Sequence, residues 1–382
     1  MPKSDPETDT ARGALTRRTL LGAGSAALLG VLLPLPGGRA AAIPTAAEVA
    51  IAPSHLAMQS GDPLPSWNDG PRKQAILDFV AAATNEGTTD FVPIPDRVAT
   101  FDMDGTLWVE MPLYVQSTFS LDRIKAMVPE HPEWQTTPPF DAVFSHDEAA
   151  LVTFSNNDWQ QIMGVTHAGL TIEEYVADAA GWLAATKHSR FDRLYTELVY
   201  EPMLDVMAYL RQNDFRTYIV SGSGAEFMRA FAESAFGVPP EQVIGTTFEL
   251  TYAMGDNGVP TITIDEAVLL DDNNAGKPQD IAIIIGRRPA AAFGNSTGDQ
   301  QMLEWTGAGE RATLMMLVYH DDPVREYAYG PAGGLANTHI GTFTEALMDE
   351  ANELGWFVIS MKNDWGRIFS WSEAGATPVA GG

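Results

Sequence analysis

Apolar residues at Ala75, Ile76, Phe79, Val80 and Ala83 recur three and four positions apart, the period of a helix with one buried face. The pattern then changes. The turn-rich run Pro93-Ile94-Pro95-Asp96 leads into Arg97-Val98-Ala99-Thr100-Phe101-Asp102, a short β-prone stretch that predicts a strand with Asp102 at its carboxyl end. From about residue 109 to 200 the period is helical again, with segments over 113–127 and 171–186 joined by Pro- and aromatic-rich connections. Alternation resumes beyond. Helices are predicted over 203–213, 225–236 and 278–285, and strands over 217–220, 244–252, 261–264, 291–293 and 313–319. A helix over 344–354 and a strand over 356–360 complete the order.

Alternating strands and helices imply an α/β protein: a doubly wound, mostly parallel, Rossmann-like sheet covered on both faces. The helical stretch interrupts it after the first strand. The sequence therefore divides into a core over 72–108 and 201–382 and an inserted helical cap over 109–200, preceded by an irregular Pro-, Ala- and Ser-rich segment over 43–71. Ligands of open α/β sheets bind beyond the carboxyl ends of strands, which is where Asp102 falls.

The first residues carry a different signal. Arg12, Arg17 and Arg18 precede an uncharged run over 19–35, and Arg39-Ala40-Ala41-Ala42 follows. That run is shorter than the roughly 20 residues a spanning helix needs, so residues 1–42 read as a cleavable export signal rather than an anchor. The paired Arg17-Arg18 resembles the twin-arginine type, with the twin-arginine export machinery as a partner and a periplasmic or extracellular destination.

Composition narrows the chemistry. With 50 acidic and 23 basic residues the formal charge is -27, which opposes binding to nucleic acid. An anionic substrate would need cations supplied locally. The absence of cysteine removes disulfides, thiolate metal sites, a cysteine nucleophile and lipidation on cysteine.

Asp102 and Asp104 stand at strand spacing before Gly105-Thr106, two like charges that are costly together unless a cation joins them or one is protonated. Capping of the next turn is the plain alternative. The strand over 217–220 runs into Ser221-Gly222-Ser223-Gly224 and a predicted helix, a hydroxyl with exposed amides at a helix N-terminus that suits an anion. Lys277 opens another helix in an acid-rich chain; its bland reading is a solvated surface lysine. The strand over 291–293 ends in Gly294-Asn295-Ser296-Thr297-Gly298-Asp299, an oxygen-rich loop suited to a hard cation or simply a polar turn.

In this order, Asp102-Met103-Asp104-Gly105-Thr106-Leu107, Ser221, Lys277 and the loop to Asp299 resemble the four motifs of the haloacid dehalogenase-like hydrolase superfamily, nearest its phosphoserine-phosphatase-like branch with a helical cap. The resemblance runs from about residue 98 to 319. It implies an exported, Mg²⁺-dependent phosphatase acting on a small-molecule phosphate ester: Asp102 as nucleophile, Asp104 as proton shuttle, and Ser221, Lys277, Gly105, Thr106 and the Gly222 amide on the phosphoryl oxygens. Asp102, the Met103 carbonyl and Asp299 would hold Mg²⁺, with Asp104 and Asn295 completing the metal set. Many relatives carry Gly-Asp where this chain has Gly294-Asn295, so weaker Mg²⁺ binding is expected.

A dehalogenase would need neither Asp104 nor Asp299. A phosphotransferase to an alcohol would use the same residues, and a non-catalytic exported binding protein would lack one of them, which this chain does not. His131, His146, His167 and His188 show no metal-ligand spacing and read as solvated or hydrogen-bonded; His320-Asp321-Asp322 reads as an acid-rich turn. Trp108, Tyr114, Phe119, Trp134, Trp159 and Trp182 fit either a packed cap or a substrate wall.

Overall fold

The computed structural model describes residues 61–144, 151, 153–255 and 258–372. The export signal predicted over 1–42, the irregular segment as far as residue 60, and His146 lie outside these residues.

Seven strands, β1 (Val98–Phe101), β2 (Arg216–Gly224), β3 (Val243–Met254), β4 (Pro260–Leu270), β5 (Ala291–Gly294), β6 (Leu314–Tyr319) and β7 (Phe357–Ser360), form one sheet. Their order is β4-β3-β2-β1-β5-β6-β7, parallel throughout except for the antiparallel β3-β4 pair. This is the doubly wound, mostly parallel sheet that the alternation predicts. β1 lies at the centre with all four residues fully buried, so its sequence is continuously non-charged rather than alternating. Successive residues point to opposite faces. Phe101, Ile219 and Phe293 join one apolar cluster, with Ile76 and Phe79 of helix α1 (Pro71–Thr84). Val98, Val220 and Ala292 join the other. Phe101 and Phe293 pair in register and stack at 4.5 Å, which levels the carboxyl ends of β1 and β5. Because the strand order reverses at β1, a crevice opens over the ends of β1, β2 and β5.

The cap carries helices α2 (Val115–Met127) and α3 (Asn156–His167) over its own apolar cluster of Leu121, Ile124, Trp134, Phe140, Val143 and Ile162, while Tyr175, Ala179 and Leu183 of α4 (Ile172–Leu183) join the main core cluster. Trp134 is therefore core. So are Phe119, packed between Tyr175, Trp182 and Phe227, and Trp182, stacked on Tyr195. Behind the cap run α5 (Glu201–Gln212) and then two short helices, α6 (Ala225–Arg229) and α7 (Ala232–Phe236), where one was predicted over 225–236. The break falls at Phe231, whose ring is drawn in to stack on Trp108 at 4.6 Å. α8 (Gly276–Ile284), α9 (Gln300–Gly307) and α10 (Glu345–Glu353) cover the second face, contributing Ile281, Leu303 and Leu347 to its cluster.

The strands predicted over 244–252 and 261–264 prove to be one long hairpin. Only the first part of β3 pairs with β2; the rest extends with β4 as a two-stranded ribbon at the sheet's edge and clasps the cap. Gly169 N–H donates to Ile264 O and Ile264 N–H to Leu170 O, both at 2.9 Å. Gly164 lets α3 touch the ribbon, since a Cβ there would lie 2.9 Å from Glu266 O. The described part of the N-terminal segment is also pinned: Trp67 is buried, donates to Pro202 O at 2.8 Å and meets Trp365 edge-on.

His167 sits in the cap-hairpin contact, edge-on to Phe248 and Tyr175, and its Nε2 has no hydrogen-bond partner. The ring is hydrogen-bonded to the backbone of Asp265, as expected, while aromatic rings stand against it and leave Nε2 without a partner. Burial lowers its pKa to about 4, below the 6.5 of an ordinary histidine. A base whose folded pKa is depressed gives stability that is whole above about pH 6.5 and fades as pH falls toward 4. Because buried carboxyls with raised pKa values, Asp102 among them, act in the opposite direction, the effect is read as a difference: in urea unfolding, His167→Gln should gain about 2 kcal/mol relative to the parent protein on going from about pH 7 to about pH 5. A difference that does not change with pH would remove His167 from the pH dependence.

Candidate active site

Asp102 directly follows β1, and its N–H donates to Phe293 O at 2.9 Å, so the ladder with β5 continues to the rim of the crevice. Lys277, in the first turn of α8, reaches it from the far side of β2. Its Nζ lies 2.6 Å from Asp102 Oδ1, 2.6 Å from Asp299 Oδ1 and 2.9 Å from Val220 O. At 3% exposure it is no surface lysine. Asp299 Oδ2 accepts the Asn295 and Ser296 N–H groups, each at 3.0 Å, which folds the loop after β5 back onto its own carboxylate.

Asp104 has separate partners. Trp108 Nε1 donates to its Oδ1 at 2.7 Å and Ser223 Oγ to its Oδ2 at 2.8 Å. Thr106 Oγ1 lies 3.4 Å from Asp102 Oδ2 and 3.3 Å from Asn295 Oδ1. Gly105 adopts φ +75°, and a Cβ there would stand 2.0 Å from Asn295 Nδ2, so both conformation and space require glycine. Its carbonyl accepts a hydrogen bond from His320 Nε2 at 2.8 Å, while Nδ1 of the same ring faces Glu326 at 3.2 Å. His320 is thus a buried brace beneath the first motif, not part of a solvated turn.

Two expectations change. β2 continues to Gly224 with a register shift between Ser221 and Gly224, and α6 begins only at Ala225 with five residues. Ser221 and Gly222 therefore meet the cavity from a strand irregularity, not from a helix N-terminus. Ser221 Oγ accepts the Ser223 N–H at 3.3 Å, and Gly222 packs so closely on Asn273 that a Cβ would lie 2.2 Å from its Oδ1. The second change concerns Met103. Its carbonyl accepts the N–H groups of Thr106, Leu107 and Trp108 at 3.2, 2.8 and 3.3 Å, which turns it into the chain and away from any cation. The Asp104 carbonyl accepts no hydrogen bond among the described residues and replaces it as the backbone oxygen available to a metal.

Asp102, Asp104, Ser221, Gly222, Lys277, Asn295 and Asp299 all line one cavity of about 200 Å³ between core and cap. Sequence reasoning missed Glu110, which lines it too. Its Oε1 accepts from Asn295 Nδ2 and from Tyr329 OH, both at 2.6 Å. An acid six residues after Asp104 was its only sequence signal. Of the aromatic candidates, Tyr114 and Trp159 face the cavity, whereas Trp108 acts through Asp104.

Burial and the neighbouring Asp299 push Asp102 up to about 7, against the pull of Lys277. Burial likewise raises Asp104 to about 6, opposed by the Ser223 and Trp108 hydrogen bonds. Burial works to lower Lys277, but the carboxylates of Asp102, Asp299 and Asp272 outweigh it and hold the ammonium charged. Among the described residues lining the cavity, four buried carboxylates, Asp102, Asp104, Glu110 and Asp299, face one ammonium. That imbalance is relieved by a proton or by a bound cation, and burial also pushes the Glu110 carboxyl well above its ordinary range. No group of three or more His, Cys, Asp or Glu among the described residues is arranged to hold a metal by side chains alone. A hard ion would rely on mixed oxygens, Asp102, Asp299, the Asn295 amide oxygen and the Asp104 carbonyl, a donor set that fits Mg²⁺.

The haloacid dehalogenase-like hydrolase family matches residues 99–304. No curated protein matches the chain. Among solved structures, a functionally uncharacterised protein from Anaerococcus prevotii is 16% identical over 66% of this chain and 86% of its own, with a TM-score of 0.45. A phosphoserine phosphohydrolase-like protein from Francisella tularensis is 14% identical over 58% and 87%, at 0.34. A probable phosphoserine phosphatase from Vibrio cholerae is 13% identical over 63% and 59%, at 0.33. These likenesses are too distant to carry a function. The family match spans more than half of the chain, from β1 to α9, and takes in each of the four motifs gathered around the cavity: this protein belongs to the haloacid dehalogenase-like hydrolases.

Proposed function

We propose that this hydrolase is a phosphatase that splits a phosphomonoester through a phosphorylated Asp102, in a Mg²⁺-dependent reaction, after export from the cytoplasm. The observation that carries the reading is the pairing of Asp102 with Asp104. Both are buried at one crevice, yet Asp102 is held by Lys277 and Asp104 by Ser223 and Trp108. Different partners equip them for different work.

Asp102 attacks phosphorus through a carboxylate oxygen while the ester P–O bond breaks. Asp104 gives its proton to the departing alkoxide, leaving an aspartyl phosphate and a free alcohol. Asp104, now ionised, takes a proton from water as that water attacks phosphorus, releasing inorganic phosphate and restoring both carboxyl groups. Lys277, Ser221 and the Gly222 amide balance the charge on the phosphoryl oxygens. Bound Mg²⁺ would supply the remaining positive charge, allowing a phosphate dianion to approach an aspartate.

The protein should release phosphate from an aryl phosphate. Chelation should reduce turnover by at least ~100-fold, and added Mg²⁺ should restore it. Metal-independent turnover would remove the cation from the reading. The export proposal rests on Arg17-Arg18 and the run that follows them. N-terminal sequencing of secreted protein should place the mature start near Ala42, and retention of residues 1–42 on cytoplasmic protein would contradict it.

A further inference from the structure

Beyond the reacting phosphoryl group, the described residues lining the cavity hold no positive charge built for a second anion. Its outer wall combines Leu113, Tyr114, Phe154, Trp159 and Met163 with the neutral Gln116, Ser117, Asn156 and Gln160. Lys277 is the one lysine or arginine among the described lining residues, and it is committed to Asp102 and Asp299.

The cap's cations are all engaged elsewhere. Residues 109–200 contain only Arg123, Lys125, Lys187, Arg190 and Arg193. Arg123 bonds Thr166 O and Asp178; Lys125 meets Asp122; Lys187 meets Asp192. Arg190 donates to Pro323 O and Val324 O, and Arg193 to Glu197. The hairpin and the loop leading to Lys277, residues 243–276, have no lysine or arginine in their sequence. His339 is the one histidine among the described residues lining the cavity.

From this distribution we infer that the substrate is the phosphate monoester of an alcohol bearing no further anionic group, with an apolar or aromatic portion seated against Tyr114, Trp159 and Met163. This deepens the phosphatase reading and rests on it. A carboxylate or second phosphate on the alcohol would leave water without a partner. It would also lie beside acidic side chains, with the one lining ammonium already paired to Asp102 and Asp299. An uncharged or cationic alcohol meets neither cost. The aromatic walls offer contact area, and Asn156 offers an amide that does not select charge, whereas Gln116 is held by Gly224 N–H and Tyr175 OH.

Matched pairs that differ by one carboxylate test this directly: phenyl phosphate against 4-carboxyphenyl phosphate, and phosphoethanolamine against phosphoserine, each measured as kcat/KM with Mg²⁺ present. The member without the carboxylate should be favoured by at least ~30-fold in both pairs. Met163→Arg, which places a guanidinium on the cavity face of α3, should reduce the ratio of the two kcat/KM values within each pair at least ~10-fold. Equal rates within the pairs, or a preference for the carboxylated member, would overturn the inference and leave the phosphatase reading standing. A preference unchanged in Met163→Arg would also overturn it, since the discrimination would not then arise from charge at this wall. Failure to turn over any of the four esters would bring down the phosphatase reading and this inference with it.

Discussion

Asp102→Asn should lower phosphate release by about 10⁴-fold or more while leaving the protein folded, because it removes the atom that forms the bond to phosphorus. The substitution is nearly isosteric. It also reduces two carboxylates on Lys277 Nζ to one, so the ion pair with Asp299 remains and an unpaired buried charge is not created. Thermal unfolding should therefore give a Tm equal to or above that of the parent protein. Asp104→Asn has a different signature. It leaves the nucleophile but removes the proton shuttle held by Ser223 and Trp108, so both half-reactions slow and the covalent intermediate persists. Rapid acid quench with intact-mass detection should show one added phosphoryl group on Asp104→Asn exposed to substrate, and none on Asp102→Asn. Retention of a tenth or more of the activity by a folded Asp102→Asn would mean that another group is the nucleophile.

The fold was legible where burial on both faces forces a simple pattern. β1 reads as a short run without charge that ends abruptly in Asp102, and β5 repeats the device before Asn295. Such runs mark central strands, and the residues just past them mark the crevice. The hairpin was less legible. Tyr252, Met254 and Ile262 stay exposed on it, and its task is to hold the cap through backbone hydrogen bonds that no side-chain pattern records. The same limit applies within the site. Motif order located the residues that face the cavity, but not their supports: Trp108 and Ser223 on Asp104, His320 under Gly105 and Glu110 on Asn295 are contacts between distant elements or across an aperiodic loop. Nor can the string Asp-Met-Asp tell which carbonyl points outward. The tight turn that consumes the Met103 oxygen exists only once the chain has folded back to Trp108.

Glu110→Gln should weaken Mg²⁺ binding by about 10- to 100-fold, even though the sequence places no metal ligand there. An asparagine can offer a cation either its oxygen or, wrongly, its NH₂ group. Here Asn295 Nδ2 donates at 2.6 Å to Glu110 Oε1, the oxygen that also accepts from Tyr329 OH, and Asn295 Oδ1 is turned toward Thr106. Glu110 also keeps beside the site a carboxylate that position 295 lacks. The acid expected at 295 has thus moved one residue outward, and because burial pushes the Glu110 carboxyl well above its ordinary range, a bound cation would be what draws out its charge, which alters the expectation of weak binding drawn from Asn295 alone. Asn295→Asp by itself should not tighten binding, since it sets an acid directly against Glu110 in a buried space, and should lower the Tm. In the double variant Glu110→Gln/Asn295→Asp the introduced glutamine amide would donate to the new carboxylate, reversing the hydrogen bond and returning the charge to 295. Calorimetric Mg²⁺ titration of the four proteins, each checked for folding by near-ultraviolet circular dichroism, reads this cycle without reference to turnover. Affinity in the double variant should recover to within about threefold of the parent, far from the sum of the two single losses. Parent-like affinity in Glu110→Gln, or simple additivity in the double variant, would reduce Glu110 to a packing residue.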